Sequence, residues 1–345
     1  MALYLDFYGL TREPFGPTPD PDFLYLTHGH REALAQLIYA IQERKGFMLL
    51  TAEVGTGKTT LLQALRRELD ATTAVAYVSN SMLPFQGIME YMLEEFEIAK
   101  PGESNAQRLV TLQNFLVERH RAGQNTVLIL DEAQNLYPQT LEQIRLLSNF
   151  ETTTEKILQI LLVGQPELKM KLELPEMRQL GQRIAMRATI PPLTRTGTRN
   201  YIRTRLRLAG SADPNLFTED ALTRLAEYAG GIPRIINTLC DHSLLIGYAE
   251  QTRRIGPEIV DEAIQYLEAG LRPRRTAARR RRTVLSRPVL SMNSMRWALA
   301  GVAAALVTGF GALAIRDSQV MSDAVLTTST YLADLARSAR SWMTR

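Results

Sequence analysis

A doubly wound α/β domain followed by a small all-helical domain is what this sequence predicts, and three observations carry the prediction. Short apolar runs alternate with stretches of helical apolar spacing through the first half of the chain. A glycine-rich turn, Ala52-Glu53-Val54-Gly55-Thr56-Gly57-Lys58-Thr59-Thr60, separates one such run from the helix that follows it. From Arg195 onward the strand-like runs stop and helical spacing continues alone.

The elements follow in order. Residues Tyr4 to Tyr25, rich in aromatics, Pro and Gly, read as an opening segment, and Glu32 to Gln42 as a helix carrying Leu34, Leu37, Ile38 and Ile41 on one face. The strand Phe47 to Thr51 delivers the chain into the turn, a helix covers Leu61 to Leu69, and a strand at Ala74 to Val78 completes a βαβ unit. Helices are expected at Gln86 to Phe96 and Ala106 to Arg121. The strand opening at Thr126 is apolar through Leu130 and ends in Asp131 and Glu132, as a strand buried on both faces of a parallel sheet would. A helix from about Gln139 to Ser148 leads to the strand Ile157 to Val163, closed by Gly164-Gln165-Pro166. Thr198 to Ala209, Thr218 to Ala229, Pro233 to Glu250 and Pro257 to Ala269 are the four helices of the second domain.

At 345 residues the chain has room for two or three domains and a sizeable core. Its single cysteine, Cys240, excludes an internal disulfide framework and fits a reducing compartment. Met1 to Gly9 carries Asp6 and lacks a basic flank and a long apolar run, so no signal peptide is expected. The net charge of +4 hides an asymmetry: about nine arginines and no acid lie between Arg272 and Arg296 and the tail after Ile315 adds about +1, so the body before them carries about −6. A mildly acidic body argues against a nucleic-acid surface spread over it.

The glycine-rich turn has the form of a phosphate-binding loop. A strand, a tight turn and a helix start aim several backbone N–H groups at one point, which the helix dipole also makes favourable for an anion. Residues Glu53 to Thr60, that is Glu53, Val54, Gly55, Thr56, Gly57, Lys58, Thr59 and Thr60, form the cradle; Lys58 reaches the β- and γ-phosphates of ATP and Thr59 places its hydroxyl on Mg²⁺. Ala52 fills the position where the pattern has glycine, which is tolerated only if φ there is negative. About 70 residues on, Asp131 at a strand end is placed to hold Mg²⁺, and Glu132 beside it to polarise a water as general base. Four histidines, His28, His30, His120 and His242, show no metal-ligand spacing and are assigned no site.

The strings FYGLTREPF, PDPDFLYLT, GTGKTTLL, LILDEAQNL, LVGQPEL, LGQRI and GGIPRIIN resemble those of AAA+ ATPases of the general secretion pathway protein A (ExeA) type, over nearly all of residues 4 to 269. Similar ATPases accompany pilus-assembly and exopolysaccharide loci. The resemblance implies a P-loop AAA+ sheet over 1–194 and a helical lid over 195–270, with subunits sharing nucleotide sites in a homo-oligomer. It implies that Gln165 is the polar sensor facing the γ-phosphate, that Arg183 is the finger inserted into a neighbour's site, with Arg187 as its rival, and that Arg234 is the second sensor. It also places the backbone near Leu24 and Tyr25 beside the adenine, with Phe15, Phe23 and Tyr25 either stacking there or anchoring the segment by packing.

Beyond Ala269 the resemblance fades. Residues 271–296 read as a basic juxtamembrane linker, and Trp297 to Ile315, about 19 residues without a charge, as a single transmembrane helix. The arginine excess before the span predicts a bacterial inner-membrane protein with its ATPase domain in the cytoplasm and residues 316–345 as a short extracytoplasmic tail. The function expected is ATP hydrolysis that drives or regulates assembly of a cell-envelope secretion apparatus, with an inner-membrane assembly protein as partner and no nucleic acid. The alternatives are a DNA-dependent AAA+ ATPase of the transposition-regulator type, in which the arginine block meets phosphates, and a scaffold that binds ATP and rarely hydrolyses it.

Overall fold

A computed structural model describes residues 3–16, 23, 25–79, 82–98, 104–213 and 215–268. The basic linker, apolar span and tail expected over 271–345 lie outside the described residues, as does Leu24. Among the described residues no helix is long and apolar enough to cross a membrane.

Five strands form one parallel sheet in the order β2-β3-β4-β1-β5, with β1 at Phe47–Ala52, β2 at Ala74–Val78, β3 at Thr126–Leu130, β4 at Gln159–Gly164 and β5 at Ile184–Ile190. The three central strands, β1, β3 and β4, are buried at every residue because both faces are covered. Phe47 and Leu49 share a core with α4 (Phe85–Glu95), α5 (Asn105–Arg121) and α6 (Pro138–Leu147). Their neighbours Met48 and Leu50 face the other way, against α2 (His28–Gln42) and α3 (Lys58–Glu68), as the two-residue period of a strand requires. The pairings Thr51↔Gly164, Leu130↔Leu162 and Val78↔Leu130 bring the carboxyl ends of β1, β3 and β4 close to level. Three chain segments therefore leave the sheet side by side, where ligands bind in open α/β sheets.

Several elements differ from the sequence expectation, α2 opening at His28 rather than Glu32 among them, and three of the differences have a clear physical reason. The strand β5 was not expected: Ile184, Met186, Ala188 and Ile190 alternate with exposed or half-exposed residues, Arg187 among them, because β5 is an edge strand covered on one face by α2. Helix α3 begins at Lys58 rather than Leu61, since Gly57 in the left-handed region is its N-cap and the helix starts at the next residue. Strand β4 begins at Gln159 rather than Ile157, because Ile157 closes a tight turn onto Phe150 and Gln159 is the first residue to pair in the sheet, its side chain accepting the Gly46 N–H.

Helices α7 (Pro166–Leu172) and α8 (Arg178–Arg183) lie between β4 and β5, and α9 (Arg195–Leu208), α10 (Glu219–Ala229), α11 (Pro233–Ala249) and α12 (Pro257–Glu268) follow. Thr194 and Thr218 cap α9 and α10 through their side chains, and Pro233 opens α11 at a position that needs no N–H. The core of these four helices also takes in the opening segment, including α1 (Leu5–Tyr8). Tyr4, Tyr8, Phe15 and Phe23 are buried with Tyr201, Phe217, Leu239 and Ile259. The Tyr4 hydroxyl donates to Asp241, and the Arg205 guanidinium donates to the Pro14 carbonyl while lying over the Phe23 ring, 4.7 Å from its centroid.

Candidate functional site

The loop after β1 has the shape its sequence asks for. Gly55 (φ 81°) and Gly57 (φ 107°) take the left-handed backbone that lets the chain fold back on itself, and the Thr56 hydroxyl donates to the Glu53 carbonyl at 2.8 Å across the turn. Ala52 is the last residue of β1, paired with Ile190 in extended backbone, so its Cβ meets no conformational conflict and glycine is not needed. Lys58 is buried at the start of α3 and its ammonium donates to the Ala52 carbonyl at 3.0 Å and the Glu53 carbonyl at 3.4 Å. Glu53, Val54 and Thr59 are exposed on the mouth of the loop, Thr60 half-exposed beside them. The first-turn N–H groups of α3 have no partner within the helix.

Asp131 follows β3 and is buried, with both carboxylate oxygens engaged. The Tyr77 hydroxyl donates to Oδ2 at 2.7 Å and the Glu132 N–H to Oδ1 at 2.8 Å. Burial and the hydrogen bond to Asp131 together raise the Tyr77 phenol well above its ordinary pKa, so this donor keeps its proton. Glu132 stands at φ 50°, a left-handed turn that lifts its side chain out of the strand direction. Its Oε2 accepts from Gln134 Nε2 at 2.6 Å and from Gln165 Nε2 at 3.2 Å, while Gln134 Oε1 takes the Gln165 N–H at 3.2 Å. Burial raises the Glu132 carboxyl, but these two amide donors and the charges of Lys58 and Arg234 outweigh it, and the group is held below the usual carboxylate range. Glu132, Lys58, Gln165 and Arg234 are thus brought together from four separate segments.

The arginines divide. Arg234 is the second residue of α11, exposed, and its N–H donates to the Gly55 carbonyl at 3.2 Å. A Cβ on Gly55 would stand 2.7 Å from the Arg234 Cβ, so loop and helix touch. Arg183 ends α8 and lies away from Glu132, donating to Ser148 Oγ at 2.6 Å, Asn149 Oδ1 at 2.9 Å and the Arg145 carbonyl at 3.4 Å at the C-terminal end of α6, where a cation is favoured. Its rival Arg187 is exposed on β5 and donates to the Gly181 carbonyl.

Of the three aromatics considered for a base, Phe15 and Phe23 are packing anchors of the helical core. Phe15 meets Phe217 edge-on and Phe23 is held between Arg12 and Arg205. Tyr25 borders a cleft of about 530 Å³ lined also by Leu26, Thr27, Pro191, Leu193 and Asn200. Two residues that bear on the loop had not been assigned a role, Gln134 and His30. Gln134 bridges Glu132 and Gln165, and its carbonyl, with that of Leu136, takes the Lys171 ammonium. His30 is buried against the loop, its ring meeting the Thr56 carbonyl across 26 residues of sequence, a contact that no local pattern announces.

Hard oxygen donors suit Mg²⁺, and the site offers the Thr59 hydroxyl and the Asp131 carboxylate. Together with the first-turn N–H groups of α3, the donor set fits a magnesium-bound polyphosphate.

Residues 41–172 match the family described as AAA domain. Over 254 residues the chain is 41% identical to General secretion pathway protein A of Aeromonas hydrophila; the aligned region is 73% of this chain and 46% of that protein, so the chain spans about half the length of this relative. Cdc6p from Pyrobaculum aerophilum shares the fold at a TM-score of 0.55 and 21% identity, over 72% of this chain and 71% of that one. The Aeropyrum pernix ORC2 protein, solved as ADPNP-ADP complexes, does so at 0.55 and 19%, over 75% and 72%.

Proposed function

We propose, from the premise that this chain is a relative of general secretion pathway protein A built on an AAA domain, that it is an ATPase serving a cell-envelope secretion apparatus. The observation that carries the reading is the meeting of Lys58, Glu132, Gln165 and Arg234 around one phosphate loop. Bound Mg²⁺ would supply charge neutralisation at the phosphates, held by Thr59 and Asp131. Lys58 and the N–H groups at the start of α3 orient the phosphates. Glu132, ionised at neutral pH, accepts a proton from the attacking water, with its Oε2 pinned by Gln134 and Gln165. Arg234 carries the state of the phosphates into the helical domain, which acts as the lid.

Arg183, held at the C-terminal end of α6, serves a neighbouring subunit's site in a homo-oligomer. The residues outside the described part complete the proposal: the span 297–315 anchors the chain in the bacterial inner membrane, the arginines before it keep the ATPase domain cytoplasmic, and 316–345 lies on the far side. The partner is an envelope-assembly protein, and the acidic body disfavours nucleic acid.

Two measurements test this. ATP turnover by Glu132→Gln and Arg183→Ala, each inactive alone, should return in part on mixing; no return sinks the shared site. The full chain should resist alkaline extraction from membranes and Leu306→Arg should weaken that hold. A steep, salt-dependent affinity of the full chain for duplex DNA would favour the transposition-regulator reading instead.

A further inference from the structure

Helix α2 opens at the N-cap Thr27, and His30 is its third residue. The His30 ring is buried; its Nε2 lies 3.1 Å from the Thr56 carbonyl oxygen and its Nδ1 2.7 Å from Thr27 Oγ1. A carbonyl oxygen has no proton to give, so Nε2 carries the hydrogen and donates it to Thr56. Thr27 Oγ1 accepts the His30 N–H at 3.2 Å, which leaves its own hydrogen for Nδ1. One threonine therefore caps the helix and fixes the imidazole tautomer. Burial lowers the pKa of the ring and favours the neutral form this pattern needs.

The consequence falls on the loop. In a trans peptide the C=O of one residue and the N–H of the next point in opposite directions, and no cis peptide occurs among the described residues. With the Thr56 oxygen held on His30, the Gly57 N–H, at the N-cap of α3, is turned away from the ring. Glycine by itself tolerates either orientation of that peptide, so some contact has to choose. His30 is the side chain in place to do so: a Cβ on Gly57 would stand 2.9 Å from its Nε2.

We propose that His30 is a positioning residue of the phosphate loop, its Nε2–H setting the Thr56–Gly57 peptide so that the Gly57 N–H faces the β-phosphate of a bound nucleotide. Thr27 also borders the 530 Å³ cleft, so the same pair joins the loop to the wall of that cleft. The inference rests on the nucleotide reading of the site.

The test uses the full chain and displacement of a fluorescent ADP by unlabelled ADP and AMP, in Mg²⁺, with His30→Gln, His30→Asn and His30→Met. Asn is too short to reach Thr56 and Met has no donor, whereas the Gln amide nitrogen reaches as far as Nε2. Asn and Met should each lose on the order of tenfold in ADP affinity, about what one hydrogen bond is worth, and leave AMP nearly unchanged, since AMP has no β-phosphate. Gln should stay within about threefold of the parent for both. Equal losses for ADP and AMP, or a Gln variant as weak as Met, would show that the ring only fills space. Melting of the ligand-free variants identifies any that fail to fold, and Asn and Met stand in for each other. If the parent chain binds neither nucleotide, it is the function proposed above that falls.

Discussion

Tyr77→Phe deletes one oxygen atom from the wall of the site and leaves the ring in place. That oxygen donates at 2.7 Å to Asp131 Oδ2, and the carboxylate's other protein donor is the Glu132 N–H at 2.8 Å. A hydrogen bond to a charged group contributes about 1.5–3 kcal/mol. Tyr77 is half-buried, so water substitutes in part and the effect falls around the lower end of that range, about 1–2 kcal/mol. For a domain of this size the ligand-free melting temperature should drop by about 3–6 °C. A bound cation changes the balance, because it neutralises Asp131 and gives the orphaned oxygen a new partner. Melting curves of parent and variant should therefore converge in Mg²⁺ with ADP, and stay apart in ADP with the metal chelated. Curves that remain equally far apart in both would refute the placement of Asp131 against the metal. Curves that coincide without ligand would show the hydroxyl to be spent on water.

Lys58→Ala should abolish ADP binding, measured by the same displacement assay, with the loop's own hydrogen bond from Thr56 to Glu53 intact. Turnover that depends on ionised Glu132 should stay level from about pH 8 down to about pH 6. The depressed folded pKa means that the stability this group contributes is complete above about pH 4.5 and is lost only as pH falls through the folded value, which a pH series of melting curves reads. Ser148→Ala removes an acceptor of Arg183 but not the cation, so it should cost about 1 kcal/mol of stability and spare turnover, whereas Arg183→Ala should lose turnover with nucleotide binding kept. Gly231→Ala would set a Cβ 2.1 Å from the Leu193 carbonyl at φ 78°, and should destabilise the fold by more than 2 kcal/mol in denaturant titrations.

Sequence reasoning succeeded wherever one segment carries its own signal. The buried strands β1, β3 and β4 are continuous apolar runs, and the loop and the acid pair stand at their ends, so their places in the fold could be read off without a structure. The helices α9 to α12 announce themselves through caps and apolar spacing. Strand β5 carries only a short alternation that the exposed Ala185 and the small Ala188 weaken. Gln134, Tyr77 and His30 were beyond local reasoning for another reason. Each acts through a contact set by the tertiary fold: an amide swung round by the left-handed turn at Glu132, a phenol on the neighbouring strand, an imidazole from a preceding helix. The aromatic opening segment read ambiguously until its partners were known, since a ring that stacks on a base and one that fills a core look alike in sequence.

The hydrogen bond from the Arg234 N–H to the Gly55 carbonyl makes α11 a lever whose fulcrum is the phosphate loop. The helix has 17 residues and extends about 25 Å, so a tilt of about 10° at the loop swings its far end by about 4 Å. Because α11 is packed against α12 and α10, the swing is shared by the whole bundle and by the aromatic segment buried in it. Force applied anywhere on that bundle bears on a backbone atom of the loop that cradles the phosphates.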